Sequence, residues 1–362
     1  MHSVRPIGRV LLVGVAAAMF AAACGGTTST ATPSQVDVGS GALTGAGATF
    51  PEPFYSKAFY AYSLKYPQVT VNYQPVGSGA GIQQFIKGTV DFGASDVPMA
   101  AADITTAGGP DTLTQIPATL GVISIAYNLS GVAKLQLDGT TLANIFLGHI
   151  KKWNDPALIA LNSGVTLPSS DIQVVHRSDG SGTTYHFSDY LAKVSPEWKS
   201  TVGVSKSLKW PAGIGGSGNQ GVAQAVTSTA GAIGYVELAY VIQTNMTQAY
   251  LQNANGKFVQ ASVTGATAAA EQNTSVRPTN FSITNEPGDT TYPIAGFSWL
   301  IVRTSFTDAV KGKAVVFLIK WLVTDGQDTG KDLQYAPLPA SVQQLALTNL
   351  KLIKAGGSPV LT

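Results

Sequence analysis

Arg177-Ser178-Asp179-Gly180-Ser181-Gly182-Thr183-Thr184 is the stretch on which the fold turns. Residues 172–176 before it read as a strand, and residues 183–194 after it carry a helical pattern. Strand, small polar loop and helix in succession form the repeating unit of an α/β fold. Two further loops of this kind lie upstream. Gly45-Ala46-Gly47-Ala48-Thr49-Phe50-Pro51 precedes a helical stripe of Phe54, Ala58, Tyr62 and Tyr66. Gly77-Ser78-Gly79-Ala80-Gly81 precedes a short helix at residues 82–86. A fourth stretch, Gly215-Gly216-Ser217-Gly218-Asn219-Gln220-Gly221, either lines a cleft with the others or only makes a turn.

Each loop places glycines and hydroxyls at a predicted helix N-terminus. There the unpaired N–H groups and the helix dipole favour an anion, and glycine lets the backbone come close. None is read as a nucleotide loop: no Gly-Lys-Ser/Thr ending follows any of the four, and the first three lack a GxGxxG pattern. Further strands are expected at residues 89–94, 122–127 and 232–236, with alternation at Val69, Val71 and Tyr73. The clearest helix spans residues 308–324. Its Val310, Ala314, Phe317, Leu318, Trp321 and Leu322 share a face, Thr307 is placed as its cap and Gly326 as its stop.

The N-terminus reads as an address. Arg5 and Arg9 precede an apolar run from Val10 to Ala23, too short for the roughly 20 residues of a membrane-spanning helix. Ala21-Ala22-Ala23-Cys24-Gly25 resembles a bacterial lipobox, with Ala21 where such boxes usually carry leucine, and Cys24 is the one cysteine of the chain. Residues 1–23 are therefore expected to be a signal peptide, and residues 24–41 a lipidated cysteine and flexible tether. Removing the leader takes two of the 22 basic residues and none of the 20 acidic ones, which balances the charge. A balanced chain argues against nucleic acid as a partner. With 12% charged and 44% hydrophobic residues, the remainder can bury the cores of two domains.

Five segments, in order, carry a resemblance: Gly45 to Pro51; Val90-Asp91-Phe92-Gly93-Ala94-Ser95-Asp96; Lys151-Lys152-Trp153-Asn154-Asp155; Asp179 to Thr183; and Gly231-Ala232-Ile233-Gly234-Tyr235-Val236-Glu237. They resemble the PstS family, the phosphate-binding proteins of bacterial high-affinity ABC phosphate importers. The resemblance implies a two-lobed periplasmic-binding-protein fold of type II, with the ligand in the cleft between the lobes. Residues 42–127 with 293–362 would form one lobe, and residues 128–292 the other. It implies Thr49, Phe50, Ser78, Asp96, Arg177, Ser181, Gly182 and Thr183 as phosphate ligands, with Asp179 orienting Arg177. The chain departs from some members in carrying His176 before the arginine, a position to which the motif assigns no role. The implied partners are inorganic phosphate, a membrane permease and, through the lipid anchor, the membrane. A monomer outside the cytoplasm suffices, with neither cofactor nor metal.

These residue types suit phosphate. Arg177 offers a planar fork to two oxygens. Asp96 would repel an anion unless that anion carries a proton to donate, which phosphate does near neutral pH and sulfate does not. Facing sulfate, the carboxylate would be buried without a donor, at about 1–3 kcal/mol or more, which is roughly tenfold to a few hundredfold in preference. Arsenate, sulfate or a phosphonate are the alternative anions. A secreted phosphate-ester hydrolase is the enzymatic alternative. It is disfavoured because Ser181 and His186 stand five apart on a helix and do not face one another. The histidines show no HExxH pattern either.

Overall fold

A computed structural model describes residues 36–362. The expected leader, Cys24 and most of the expected tether lie outside the described residues. Packing begins before the expected boundary at residue 42: Val38 is buried, and Gly41 pairs with Val69. One glycine read as a tether residue serves close approach instead. Gly39 has φ +75°, and a Cβ there would fall 2.3 Å from the Val310 carbonyl oxygen.

The anticipated strand–loop–helix units are present. β1 (Gly41–Gly47) leads to α1 (Glu52–Lys65), β2 (Val69–Pro75) to α2 (Ser78–Ile86), and β3 (Phe92–Ser95) is followed by the long β4 (Leu113–Tyr127). In the middle of the chain β5 (Gln173–Arg177) leads to α3 (Gly182–Val194), β6 (Ile214–Gly216) to α4 (Gly218–Ser228), and β7 (Ala232–Glu237) to α5 (Leu238–Gln243). β8 (Ala295–Arg303) and α6 (Ala309–Val323) follow.

The strand order β2-β1-β3-β8-β4-β7-β5-β6 explains how a site arises. β1, β2 and β3 are mutually parallel, as are β5, β6 and β7. β8 runs antiparallel to β3 and to β4, and β4 runs antiparallel to β7. Two reversals lie between β3 and β4 and one more before β7, so the two parallel sets point in opposite directions. They share β4 end to end, β8 pairing with it through Val122 and β7 from Ile123 onward. The carboxyl ends of β1–β3 and of β5–β7 therefore converge on the middle of β4. Ligands of open α/β sheets sit outside carboxyl strand ends, and here two such sets face each other.

Only residues 122–127 of β4 were legible as a strand, yet the strand begins at Leu113 and is buried throughout. Thr114, Gln115, Pro117 and Thr119 interrupt the apolar pattern, and tertiary contacts satisfy them. Gln115 accepts the Met99 N–H at 2.6 Å. At Pro117, which has no N–H, the pairing with β8 shifts register between Ser298 and Trp299. In α6 the cap is Asp308 rather than Thr307: its carboxylate accepts the Val310 and Lys311 N–H groups. Val310, placed on the apolar face, is exposed, because it stands in the first turn beyond the core that Ala314, Leu318 and Leu322 enter.

Candidate anion-binding site

The loops after β1, β2 and β3 meet those after β5, β6 and β7 in direct contact. Gly79 donates its N–H to the Gly180 carbonyl at 2.8 Å. A Cβ at either glycine would lie 3.2 Å from the Cα of the other, so the absence of side chains sets how closely the loops approach. Gly182 donates its N–H to the Ser78 hydroxyl at 3.2 Å. His186 Nε2 lies 2.9 Å from the Asp96 carbonyl oxygen. Tyr240, on α5, donates its hydroxyl to the Thr49 carbonyl at 2.6 Å.

Arg177 ends β5 and is almost wholly buried. Its Nε and Nη2 donate to the two Asp179 oxygens at 2.7 and 2.5 Å, and Nη1 donates to the Thr183 hydroxyl at 3.2 Å. A guanidinium has five N–H bonds, so one remains on each terminal nitrogen. Burial alone would raise the Asp179 carboxyl, but Arg177 and the Gly218 N–H outweigh it and hold it below the usual carboxylate range. The buried pair is close to neutral overall, and a bound anion would be met largely by dipoles.

Ser181 caps α3, its hydroxyl accepting the Thr184 N–H at 3.0 Å. Thr183 and Gly182 form the first turn above it. Phe50 is buried edge-on to Tyr335, which donates its hydroxyl to the Phe50 carbonyl at 2.6 Å. Asp96 follows β3 and packs against Gly182, where a Cβ would fall 2.4 Å from the aspartate side chain. Ser298 donates to its Oδ1 at 2.8 Å and Ser78 to its Oδ2 at 3.3 Å. Desolvation pushes this carboxyl up to about 7, against the opposing pull of Ser298, Arg177 and Ser78.

All eight sequence-predicted ligands thus gather where the two sets of strand ends meet, with Asp179 behind Arg177. His176 does not join them. It stacks on Trp210 with ring centroids 4.5 Å apart, and its Nδ1 lies 3.0 Å from the Arg177 carbonyl oxygen. The nucleophile-and-base arrangement also fails geometrically: the Ser181 hydroxyl serves the helix cap, His186 faces a backbone carbonyl, and Asp189 accepts from Ser282 and Thr284.

Sequence reasoning missed Ser298, Tyr240 and Tyr335, and left Asn219 undecided. Asn219 had a signal, its small-residue loop before a helix. Ser298 had none, being one polar residue in an apolar strand, and it reaches Asp96 only because β8 lies between β3 and β4.

A family model described as the PBP superfamily domain matches residues 27–325. The chain is 43% identical over 321 residues to the phosphate-binding protein PstS of Xylella fastidiosa, covering 87% of this chain and 86% of the relative. It is 46% identical over 306 residues to the phosphate-binding protein PstS of Pasteurella multocida, covering 83% and 88%. The chain belongs to the PstS family. Among solved structures it resembles the high-affinity periplasmic phosphate-binding protein PfluDING bound with phosphate, with a TM-score of 0.70 and 23% identity over 85% of this chain and 93% of that one. That likeness concerns the fold, which is the two-lobed α/β architecture of type II periplasmic binding proteins.

Proposed function

We propose that this PstS chain captures inorganic phosphate between its two lobes outside the cytoplasm and hands it to the permease of an ABC-type importer. It acts by binding, not by catalysis. Thr49, Phe50, Ser78, Asp96, Arg177, Ser181, Gly182 and Thr183 are its ligands, and Asp179 steers the guanidinium. One lobe comprises residues 42–127 with 293–362 and the other residues 128–292, working as a monomer tethered through lipid on Cys24. No helix among the described residues is long and apolar enough to cross a membrane.

The observation that carries the reading is the buried Asp96 carboxyl, gathered with the Arg177 guanidinium and the helix starts at Ser78 and Gly182, whose N–H groups are donors. Donors alone would accept any oxyanion. A carboxyl among them needs one proton between itself and the ligand; phosphate brings that proton, whereas with sulfate the carboxyl must supply it, so the preference grows as pH rises past the carboxyl's value of about 7. Ligand from one lobe to the other favours closure, since only the closed arrangement offers both sets of donors.

Isothermal calorimetry on the mature protein, stripped of co-purified phosphate, tests this near neutral pH. One phosphate bound tightly per chain with little response to sulfate is expected. Equal binding of both anions would remove Asp96 as the selecting group, and binding of neither by folded protein would overturn the receptor reading.

A further inference from the structure

Asn219 is fully buried at the start of α4 and bridges the two lobes. Its Oδ1 accepts the Glu237 N–H at 3.0 Å. A backbone N–H can only donate, so this bond settles which way the amide points, and both Nδ2 protons must go elsewhere. One goes to the Thr49 hydroxyl at 2.9 Å and the other to the Thr183 hydroxyl at 3.1 Å. The Asn219 backbone N–H also donates to Thr49 Oγ1, at 3.1 Å, and Arg177 Nη1 donates to Thr183 Oγ1 at 3.2 Å.

Each threonine hydroxyl therefore receives two hydrogen bonds, and a hydroxyl has two lone pairs and one proton. With both lone pairs occupied, neither oxygen can accept again. What each has left is its proton. We infer that Asn219 is the positioning residue that turns Thr49 and Thr183, one on each lobe, into obligate donors to the bound anion. Without it, either hydroxyl could rotate to accept, and binding would have to select the donating rotamer. Asn219 also joins the lobes through Thr49, so the same side chain that sets the proton directions helps to hold the closed arrangement.

This rests on Thr49 and Thr183 being ligands, and the test separates the two claims. Phosphate affinity would be measured by calorimetry for Thr49→Val with Thr183→Val, for Asn219→Ala, and for the triple variant, with melting of each phosphate-free protein as the check on folding. Weaker binding by the valine pair is the expected sign that the hydroxyls are ligands. Asn219→Ala should then weaken phosphate about tenfold to a hundredfold in the wild-type background, the range for hydrogen bonds to charged groups. In the valine background it should cost less than about threefold, because its targets are gone. An equal loss in both backgrounds, or no loss in the wild type, would overturn the positioning role and reduce Asn219 to a structural residue. Unchanged binding by the valine pair would instead sink the ligand assignment itself. If the alanine variant does not fold, Asn219→Asp carries the test. It keeps the shape but presents an acceptor where the amide donates, so it should weaken phosphate by more than about a hundredfold, and the valine background should recover the part of that loss owed to the hydroxyls, leaving only the repulsion of the added charge.

Discussion

At the residue scale the two buried carboxyls of the proposed site, Asp96 and Asp179, make opposite demands. Asp96 is destabilised as a carboxylate by burial, and its value is pushed up to about 7. A carboxyl whose folded value lies above its unfolded one keeps a proton that the unfolded chain has released. Its contribution to stability is greatest below the unfolded value of about 4, and falls as pH rises towards 7. Melting of the phosphate-free protein should show this decline across that window, and Asp96→Asn should flatten it. Asp179 has the opposite sign: its lowered value stabilises the fold above the ordinary carboxylate range, and this is lost only at more acid pH. Asp96→Asn should also narrow the phosphate-over-sulfate preference by about tenfold or more, since an amide no longer requires a proton from the ligand. An unchanged ratio in anion titrations would remove Asp96 from that role. Arg177→Ala deletes two free N–H donors and leaves Asp179 buried without its partner. Calorimetry should show phosphate affinity falling by more than about a hundredfold, from charge-assisted bonds worth about 1.5–3 kcal/mol each.

At the element scale, two helix starts bring backbone donors to the proposed site. α2 and α3 begin at Ser78 and Gly182, and the N–H of Gly182 points to the Ser78 hydroxyl. Their approach is set by Gly79 against Gly180, neither of which has a positive φ. A substitution there meets crowding rather than backbone strain. Gly79→Val should prop the loops apart at about 1–3 kcal/mol, the range for overpacking, and weaken phosphate roughly tenfold to a hundredfold. Because the added bulk faces the opposing loop, the melting temperature of the phosphate-free protein should change little. A variant with wild-type affinity would show that the glycine contact does not control closure.

At the scale of the whole molecule, closure is a competition between direct lobe-to-lobe bonds and the ligand that links the same loops. Tyr240 joins the lobes at the Thr49 carbonyl without being a proposed ligand. Tyr240→Phe removes that bond and the hydroxyl's longer contact with Glu52 at 3.3 Å, together worth about 1 kcal/mol. Stopped-flow release of phosphate should therefore quicken about fivefold, with the association rate nearly unchanged. Unaltered release would mean the bond persists in the open form and has no part in holding phosphate.

The sequence by itself determined the unit that repeats, strand to small polar loop to helix, and with it the anion-favouring character of three helix starts, leaving the fourth open. It did so because those signals are local: a glycine, a hydroxyl and a helical stripe within a dozen residues are read without knowing their neighbours. It also carried the proposed ligands as motifs, with Asp179 expected behind Arg177. Only the tertiary structure decided what lies between them. β4 runs on through Thr114, Gln115 and Pro117 because β8 and the packed helices supply what those residues lack locally. Ser298 reaches Asp96 and Asn219 reaches Thr49 across separations of 202 and 170 residues. No periodicity encodes such pairs. They follow from two parallel strand sets brought end to end on one shared strand, which is a property of the sheet order rather than of any segment.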